Sequence, residues 1–258
     1  MRLCTIVSGS SGNCTYVGMG SEGVLIDAGL SGKRLQQGLA QMNLPTPSAI
    51  LITHEHSDHI AGAGVLARRF NIPVYATPLT WRYFLRHKKL GPLKEEHVKH
   101  IIPGEPVMVG GAKVTAFDVP HDASQPVGYT FENQDKKIAL ATDLGQTTDT
   151  VLDYLSRANI LLIESNHDSE MLENGRYHEM LKQRVKSPRG HLSNVAAGGL
   201  ISKVDWDGLK HVILGHLSEE NNTPMLAYDT VGRILDAHQV NVKLKIADRY
   251  YPGEMIEI

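Results

Sequence analysis

The chain has 258 residues, of which 41% are hydrophobic and 21% charged, as is ordinary for a globular protein. Its formal net charge of −2 excludes a protein that coats nucleic acid through a global excess of positive charge, although a local basic groove stays compatible. Two cysteines give no disulfide framework, and the sequence shows neither a leader peptide nor a long apolar run. We therefore expect a cytoplasmic protein that does not enter a membrane.

Short strand-like runs alternate with helical segments in the first part of the chain. Apolar runs bounded by turn residues predict strands at 3–7, 15–17, 24–27, 49–53 and 74–76. Apolar residues at helical spacing predict helices at 30–42, 60–70 and 79–89, with Ser31 capping the first. A second set of strands is predicted at 107–108, 113–119, 127–131 and 137–142.

Helices predominate after residue 143. They are predicted at 148–157, 169–186, 194–203 and 224–238, with strands at 160–164, 211–214 and 242–247, the last of the chain. Ser193 is the expected cap of the third helix, and Pro224 occupies the first position of the fourth. No linker divides the sequence, so residues 1–258 are predicted to form a single α/β domain. Two β-rich halves interleaved with helices indicate a four-layer αββα sandwich, with sheets inside and helices outside.

The segment His54–His59 (HEHSDH) is the strongest chemical signal in the sequence. It contains three histidines and an aspartate directly after an apolar strand. Imidazole and carboxylate groups are common ligands of divalent metals. Crowding them into one turn is costly unless a cation neutralises them or water solvates them. The motif therefore predicts metal-dependent chemistry.

Three further residues with metal-binding side chains stand where apolar strands end. These are His121, Asp143 and His216. Any one of them alone is more simply explained as an ordinary turn residue. Three such residues downstream of the histidine motif instead favour ligands that converge on one site.

Taken together, these motifs resemble the metallo-β-lactamase fold superfamily. The histidine motif, Asp27 at a strand end, His121, Thr142-Asp143 and His216 occur in the order of that superfamily's motifs, over essentially the whole chain. Segments 8–13, 190–194 and 215–222 are similar to its YycJ (WalJ) branch. The resemblance implies a 5′-to-3′ DNA exonuclease associated with mismatch repair.

The resemblance also implies a centre with two divalent metal ions. One ion would be held by His54, His56 and His121, the other by Asp58, His59 and His216, with Asp143 bridging the two. Two close cations would share a hydroxide that attacks phosphorus. Histidine and carboxylate ligands without a thiolate admit Zn²⁺ or Mn²⁺.

Asp58, His191 and Glu164 are the residues predicted to carry catalysis. His191 and Glu164 are similar to a His and Glu pair that ribonuclease Z-like members place beside the metals. His191 would donate a proton or grip a phosphate, and Glu164 would orient it; alternatively, His191 merely precedes a helix cap. Asp27 is expected to hydrogen-bond the histidine loop, the alternative being a plain Asp-Ala-Gly turn.

Substrate contacts are predicted from loop residues and from two basic clusters. The loop candidates for phosphate or substrate binding are Ser11, Asn13, His167, Asn221 and Asn222. Their alternatives are a flexible hairpin and an exposed loop histidine. The first cluster contains Arg82, Arg86, Lys88, Lys89 and Lys94 beside Trp81, Tyr83 and Phe84. The second contains Arg176, Lys182, Arg184, Lys186 and Arg189. Basic groups near aromatic rings suit single-stranded nucleic acid, but solvated helix faces with the rings in the core are equally compatible.

The leading hypothesis is therefore a dinuclear metal phosphodiesterase acting on nucleic acid, most specifically a DNA exonuclease. An RNA-processing nuclease and a small-molecule or cyclic phosphodiesterase are the alternatives of the same fold. A metal-stabilised binding protein is the alternative without catalysis. If residues 80–100 line the cleft, a polymeric substrate is favoured. The native metal and the oligomeric state stay open at this level.

Overall fold

Fourteen strands form two mixed sheets of seven strands each in the computed structural model, which describes residues 1–258. In chain order the strands are β1 (Arg2–Val7), β2 (Cys14–Met19), β3 (Glu22–Ile26), β4 (Ile50–Leu51), β5 (Val74–Ala76), β6 (Val98–His100), β7 (Pro106–Val109), β8 (Ala112–Asp118), β9 (Val127–Asn133), β10 (Lys136–Ala141), β11 (Ile160–Glu164), β12 (His211–Gly215), β13 (Lys243–Ile246) and β14 (Ile256–Glu257). The first sheet has the order β14-β1-β2-β3-β4-β5-β6. The second has the order β13-β12-β11-β10-β9-β8-β7.

Nine α-helices connect these strands. They are α1 (Gly32–Gln41), α2 (Ser57–Ile60), α3 (Ala63–Phe70), α4 (Pro78–His87), α5 (Asp149–Leu155), α6 (Ser169–Asn174), α7 (Glu179–Lys186), α8 (Asn194–Ile201) and α9 (Pro224–Ala237). The caps expected at Ser31 and Ser193 form, because both side chains accept a backbone N–H at a helix start, and Thr223 does the same for α9. None of the helices has both the length and the apolar character that a bilayer-spanning segment requires.

Three apolar layers hold the elements together. The central layer lies between the two sheets and includes Tyr129 and Phe131 opposite Leu51 and Val17. Helices α1, α3 and α4 pack on the outer face of the first sheet, and α5, α8 and α9 on the outer face of the second. This is the predicted four-layer αββα sandwich, and the prediction is confirmed.

Two predicted helices are interrupted at glycines that other groups approach closely. The helix predicted at 60–70 begins only at Ala63, as α3, after the separate one-turn α2, and between them Gly62 N–H donates to Ala28 O at 2.8 Å. A methyl group at Gly62 would lie 2.3 Å from Leu30 O. The helix predicted at 169–186 is likewise broken, at Gly175, where a methyl group would lie 2.3 Å from Asn221 Oδ1 and 2.6 Å from Met171 O.

Two short strands were missed. The segment Val98–His100 extends the first sheet beside β5. The prediction that the strand at 242–247 is the last of the chain was wrong, since β14 pairs antiparallel with β1 through Arg2 and Leu3. Each of these two segments contains a single apolar residue, Val98 or Ile256, which gives no alternation to recognise from sequence.

The candidate ligand residues lie where strands of both sheets end. Strands β10 to β13 are parallel and in register, so their carboxyl ends share one edge of the second sheet. The residues that follow β3, β10 and β12, namely Asp27, Asp143 and His216, have φ values of 60°, 55° and 55°. Non-glycine residues rarely adopt this left-handed conformation, and it concentrates at functional sites.

Candidate metal centre

The structure brings all seven predicted metal ligands together. They belong to three overlapping groups, within each of which the ligand atoms lie within 4.8 Å of one another: His54, His56 and His121; Asp58, His59 and His216; His54, His59 and Asp143. The first sheet supplies the histidine motif after β4, and the second sheet supplies the other three residues. The site is therefore built at the junction of both sheets.

The first triad consists of three imidazole rings whose nitrogens face each other. His56 Nδ1 lies 3.0 Å from His54 Nε2 and 3.4 Å from His121 Nε2. Burial lowers the pKa of His54 well below its ordinary value and also lowers that of His121. Both rings are therefore neutral at pH 7, which is the form in which histidine binds a metal.

The second triad combines two histidines with a carboxylate. Asp58 Oδ2 lies 3.3 Å from His59 Nε2 and 3.6 Å from His216 Nε2. Burial alone would raise the pKa of Asp58, but His59 and His216 outweigh it and lower the pKa below its ordinary range. Burial would lower the pKa of His216, but the carboxylates of Asp143, Asp58 and Glu164 raise it to about 10. The negative charge of these carboxylates is balanced by protons on the histidines, and a bound cation would balance it equally.

Asp143 lies between the two triads. Its Oδ2 is 3.3 Å from His59 Nε2, and its Oδ1 is 3.8 Å from His121 Nε2. Asp143 Oδ2 and His216 Nε2 are buried and have no hydrogen-bond partner. A buried polar atom without a partner costs about 1–3 kcal/mol. A cation between these atoms would remove that cost, so the donor set fits divalent metal ions.

Hydrogen bonds to Nδ1 fix the orientation of the ligand histidines. His59 Nδ1 donates to Asp27 Oδ2 at 2.7 Å, and His121 Nδ1 donates to Gly190 O at 3.1 Å. Thr53 Oγ1 donates to Asp27 at 2.8 Å and lies 3.0 Å from His54 Nδ1. In the neutral form of each ring, these contacts place the remaining proton on Nδ1 and leave the Nε2 lone pair for a metal. Sequence reasoning singled out Asp27 but missed Thr53, although Thr53 directly precedes the motif.

Glu164 connects the metal centre to His191. Its Oε1 accepts from His191 Nδ1 at 2.8 Å and from His216 Nδ1 at 2.7 Å. Its Oε2 accepts the backbone N–H groups of Leu144 and Leu192. Burial alone would raise the pKa of Glu164, but both histidines lower it, so the residue is ionised. The sequence pointed to the contact with His191, whereas the shared contact with His216 was missed.

Comparison with known proteins identifies the family. The family model described as a β-lactamase superfamily domain matches residues 23–217. The chain belongs to the metallo-β-lactamase superfamily. It is 40% identical over 238 residues to exodeoxyribonuclease YycJ of Bacillus anthracis, with 92% of this chain and 89% of the relative covered. It is 41% identical over 252 residues to exodeoxyribonuclease WalJ of Streptococcus pneumoniae serotype 2, with 96% and 93% covered. The predicted YycJ (WalJ) branch is confirmed.

A solved structure agrees with the fold. The metallo-β-lactamase fold protein YhfI from Bacillus subtilis superposes with a TM-score of 0.73 over 98% of each chain, at 17% sequence identity. At this identity the likeness concerns the architecture alone.

Asn13 is the predicted substrate residue that contacts the candidate metal centre directly. It is buried, and its Nδ2 lies 3.4 Å from Asp58 Oδ2 and 3.2 Å from His59 Nε2. It also exchanges hydrogen bonds of 3.0 Å with the backbone of Gly9. Asn13 therefore ties the glycine-rich turn to the ligand loop. Ser11, in the same turn, is exposed.

The other predicted substrate residues belong to the loops that follow β11 and β12. His167 is buried rather than in an exposed loop, its Nδ1 has no partner, and burial lowers its pKa to about 4. Asn221 is also buried, with an unpartnered Oδ1. The Nδ2 of Asn222 donates to the backbone carbonyls of Ser165 and Asn166. This amide therefore holds loops together and has no donor left for a phosphate.

Proposed function

We propose that this superfamily member is a dinuclear exodeoxyribonuclease that digests DNA from the 5′ end. The observation that carries the proposal is the pair of ligand triads around one buried carboxylate, Asp143. The relatives at 40% and 41% identity over nearly the whole chain are named exodeoxyribonucleases. A metal-dependent hydrolase of phosphodiester bonds is thus the function that family and site support together.

Two divalent cations would occupy the triads. His54, His56 and His121 would hold one, Asp58, His59 and His216 the other, and Asp143 would contact both. Zn²⁺ and Mn²⁺ both suit these ligands. When bound, such ions supply Lewis-acid activation of water and stabilise negative charge on the phosphate oxygens.

We assign the proton for the leaving oxygen to His191. Its Nδ1 donates to Glu164, so Nε2 is the ring nitrogen left to face a substrate. Burial would lower the pKa of His191, but Glu164 and Asp143 raise it above its ordinary value. The raised pKa favours the protonated ring, whose Nε2–H is the proton that we assign to the leaving oxygen. Glu164 acts as a positioning residue, because it holds His191 and His216 through one oxygen.

Asp58 is the carboxylate of the centre that reaches solvent. Its side chain is 23% exposed, against 3% for Asp143. Its Oδ2 is occupied by His59, His216 and Asn13. We therefore assign Oδ1 to orienting the attacking water and accepting its proton.

The surroundings of the centre support a polymeric substrate. Arg82 and Arg86 line a groove together with Ser124, which donates to Glu55 inside the histidine motif. A cyclic mononucleotide would need no such extension, so a polymer is favoured over a small phosphodiester. DNA rather than RNA rests on the names of the relatives. A cytoplasmic location and a role in mismatch repair complete the proposal and rest on the resemblance to the YycJ branch.

The proposal is tested with DNA labelled at the 5′ or the 3′ end, as single strand and duplex. Metal-free protein is supplied with Mn²⁺ or Zn²⁺, and early release of 5′-terminal nucleotides is expected while the 3′ label stays on long fragments. His56→Ala should reduce this release by at least about 100-fold. His238→Ala, an exposed histidine after α9, is the matched control and should behave as wild type.

Each alternative has its own signature in this experiment. Faster release from RNA would reassign the substrate, and earlier loss of the 3′ label would reverse the polarity. Metal binding without cleavage of any phosphodiester would leave a metal-stabilised binding protein.

A further inference from the structure

A groove runs along α4 beside the metal centre. It has a volume of about 350 Å³ and is lined by Leu79, Arg82, Tyr83, Arg86, His87 and Ser124. We call it the α4 groove. All of these residues except Ser124 belong to α4 and are exposed or half-buried, whereas Trp81 and Phe84 on the other side of the helix are buried against the first sheet.

The α4 groove is attached to the loops that carry the first triad. Ser124 lies three residues after His121, and its N–H and Oγ donate to Glu55 Oε1 at 2.7 and 2.6 Å. Glu55 stands between His54 and His56 in the chain. The neighbouring Gln125 accepts from Thr77 Oγ1 at the start of α4 through its carbonyl, at 3.1 Å. One wall of the groove is therefore fixed directly to the metal-binding segment.

The two basic clusters of the sequence differ in how their charges are used. In the second cluster, Arg184 pairs with Asp122 at 2.6 Å, Lys186 pairs with Glu173, and Arg189 donates to His121 O. These three cations are neutralised or bound within the protein, whereas the exposed Arg176 of the same cluster forms no ion pair.

The arginines of the α4 groove remain uncompensated. The arginines that form ion pairs are Arg157, Arg184 and Arg249, so neither Arg82 nor Arg86 is paired. They lie one helical turn apart on the same exposed side of α4. Two free guanidinium groups in a row are suited to successive phosphates of one strand.

An aromatic surface accompanies these charges. The rings of Tyr83 and His87 lie 4.4 Å apart with an angle of 39° between their planes. Both residues line the groove and neither is buried. Stacking on such rings requires an unpaired base, because bases inside a duplex are already stacked on each other.

We propose that the α4 groove binds single-stranded DNA next to the scissile phosphodiester. Arg82 and Arg86 contact two consecutive phosphates, and a base stacks on Tyr83. The inference rests on the proposed function, because it extends the substrate of that same centre along the protein surface. It assigns the strand-binding role to the first basic cluster and not to the second.

Binding of a phosphorothioate-linked oligothymidylate, which resists cleavage, tests the arginines by fluorescence anisotropy at several salt concentrations. The double variant R82A/R86A should lose affinity on the order of tenfold or more at low salt. The slope of log affinity against log salt should become shallower by about 1.4, or roughly 0.7 per lost phosphate contact. K203A/R233A removes the same charge from exposed positions on the opposite helical layer and should match wild type.

Tyr83 variants separate stacking from charge. Y83A should weaken single-strand binding by about fivefold or more, while Y83F should retain it. An unchanged salt slope in R82A/R86A would overturn the proposal, as would an equal loss of duplex and single-strand binding in Y83A. Nucleotide release by the wild type is measured separately on ordinary DNA. Its absence would remove the proposed function, whereas the binding experiment addresses the groove alone.

Discussion

Replacing Asp27 by Asn tests whether one carboxylate sets the proton position on a ligand histidine. In the wild type, His59 Nδ1 donates to Asp27 Oδ2 at 2.7 Å, and Thr53 N–H donates to Oδ1 at 2.8 Å. An Asn amide keeps the bond from Thr53 N–H but places its own N–H against His59 Nδ1. His59 must then accept at Nδ1 and carry its proton on Nε2. That atom is the one that would bind the cation, so the substitution blocks a ligand without removing it.

The expected loss of metal affinity follows from the burial of Asp27 and His59. Loss of a hydrogen-bond partner behind a metal-binding histidine lowers metal affinity by about 10- to 100-fold, which is about 1.4–2.7 kcal/mol. His59 is fully buried, so no water molecule replaces Asp27, and we expect the upper part of this range.

Calorimetric titration of metal-free protein with Mn²⁺ or Zn²⁺ measures the effect. One binding event should weaken in Asp27→Asn, while Asp236→Asn, at an exposed position on α9, serves as the matched control. Circular dichroism establishes that both variants are folded. Equal metal affinity of Asp27→Asn and wild type would refute the proton-position argument.

Three further predictions concern the centre and its support. Glu164→Gln should lower kcat by about 10- to 100-fold with little change in KM, because His191 and His216 both lose a charged partner. Steady-state nucleotide release measures kcat, and a wild-type value would contradict the prediction. Metal affinity should rise with pH from 6 to 8, because His216 has a raised pKa of about 10 and must lose a proton to bind a metal. Calorimetry in buffers of different ionisation enthalpy should detect this proton release. A metal affinity that does not change with pH would contradict the prediction. Tyr129→Phe should lower the free energy of unfolding by about 1–3 kcal/mol, because the buried Tyr129 hydroxyl donates to Ile52 O at 2.6 Å. Urea unfolding measures this free energy, and an unchanged unfolding midpoint would contradict the prediction.

The clustering of the seven candidate ligands was predictable because these residues occupy positions that sequence reveals. His54 to His59 are adjacent in the chain, and His121, Asp143 and His216 each follow an apolar strand. A strand of apolar residues followed by a metal-binding side chain remains visible without any three-dimensional information. The three left-handed residues at strand ends, in contrast, could not be recognised as such.

Contacts between distant segments were beyond the sequence. The glutamate at position 164 binds His216 because β11 and β12 are paired in register, which a strand prediction alone does not establish. At the break beside Gly62 the backbone of Leu30 approaches from elsewhere in the chain, and at Gly175 the distant group is the side chain of Asn221. The sequence alone did not distinguish the two basic clusters, because the ion pairs of Asp122 and Glu173 with the second cluster join residues that are distant in the chain.

A centre assembled from the ends of strands in both sheets has a consequence for its synthesis. Its ligands extend along the chain from His54 to His216, so a ribosome-bound chain that has not yet released His216 lacks part of the second triad. If the proposed dinuclear centre is required for cleavage, such a nascent chain is inactive until His216 has emerged and both sheets have docked.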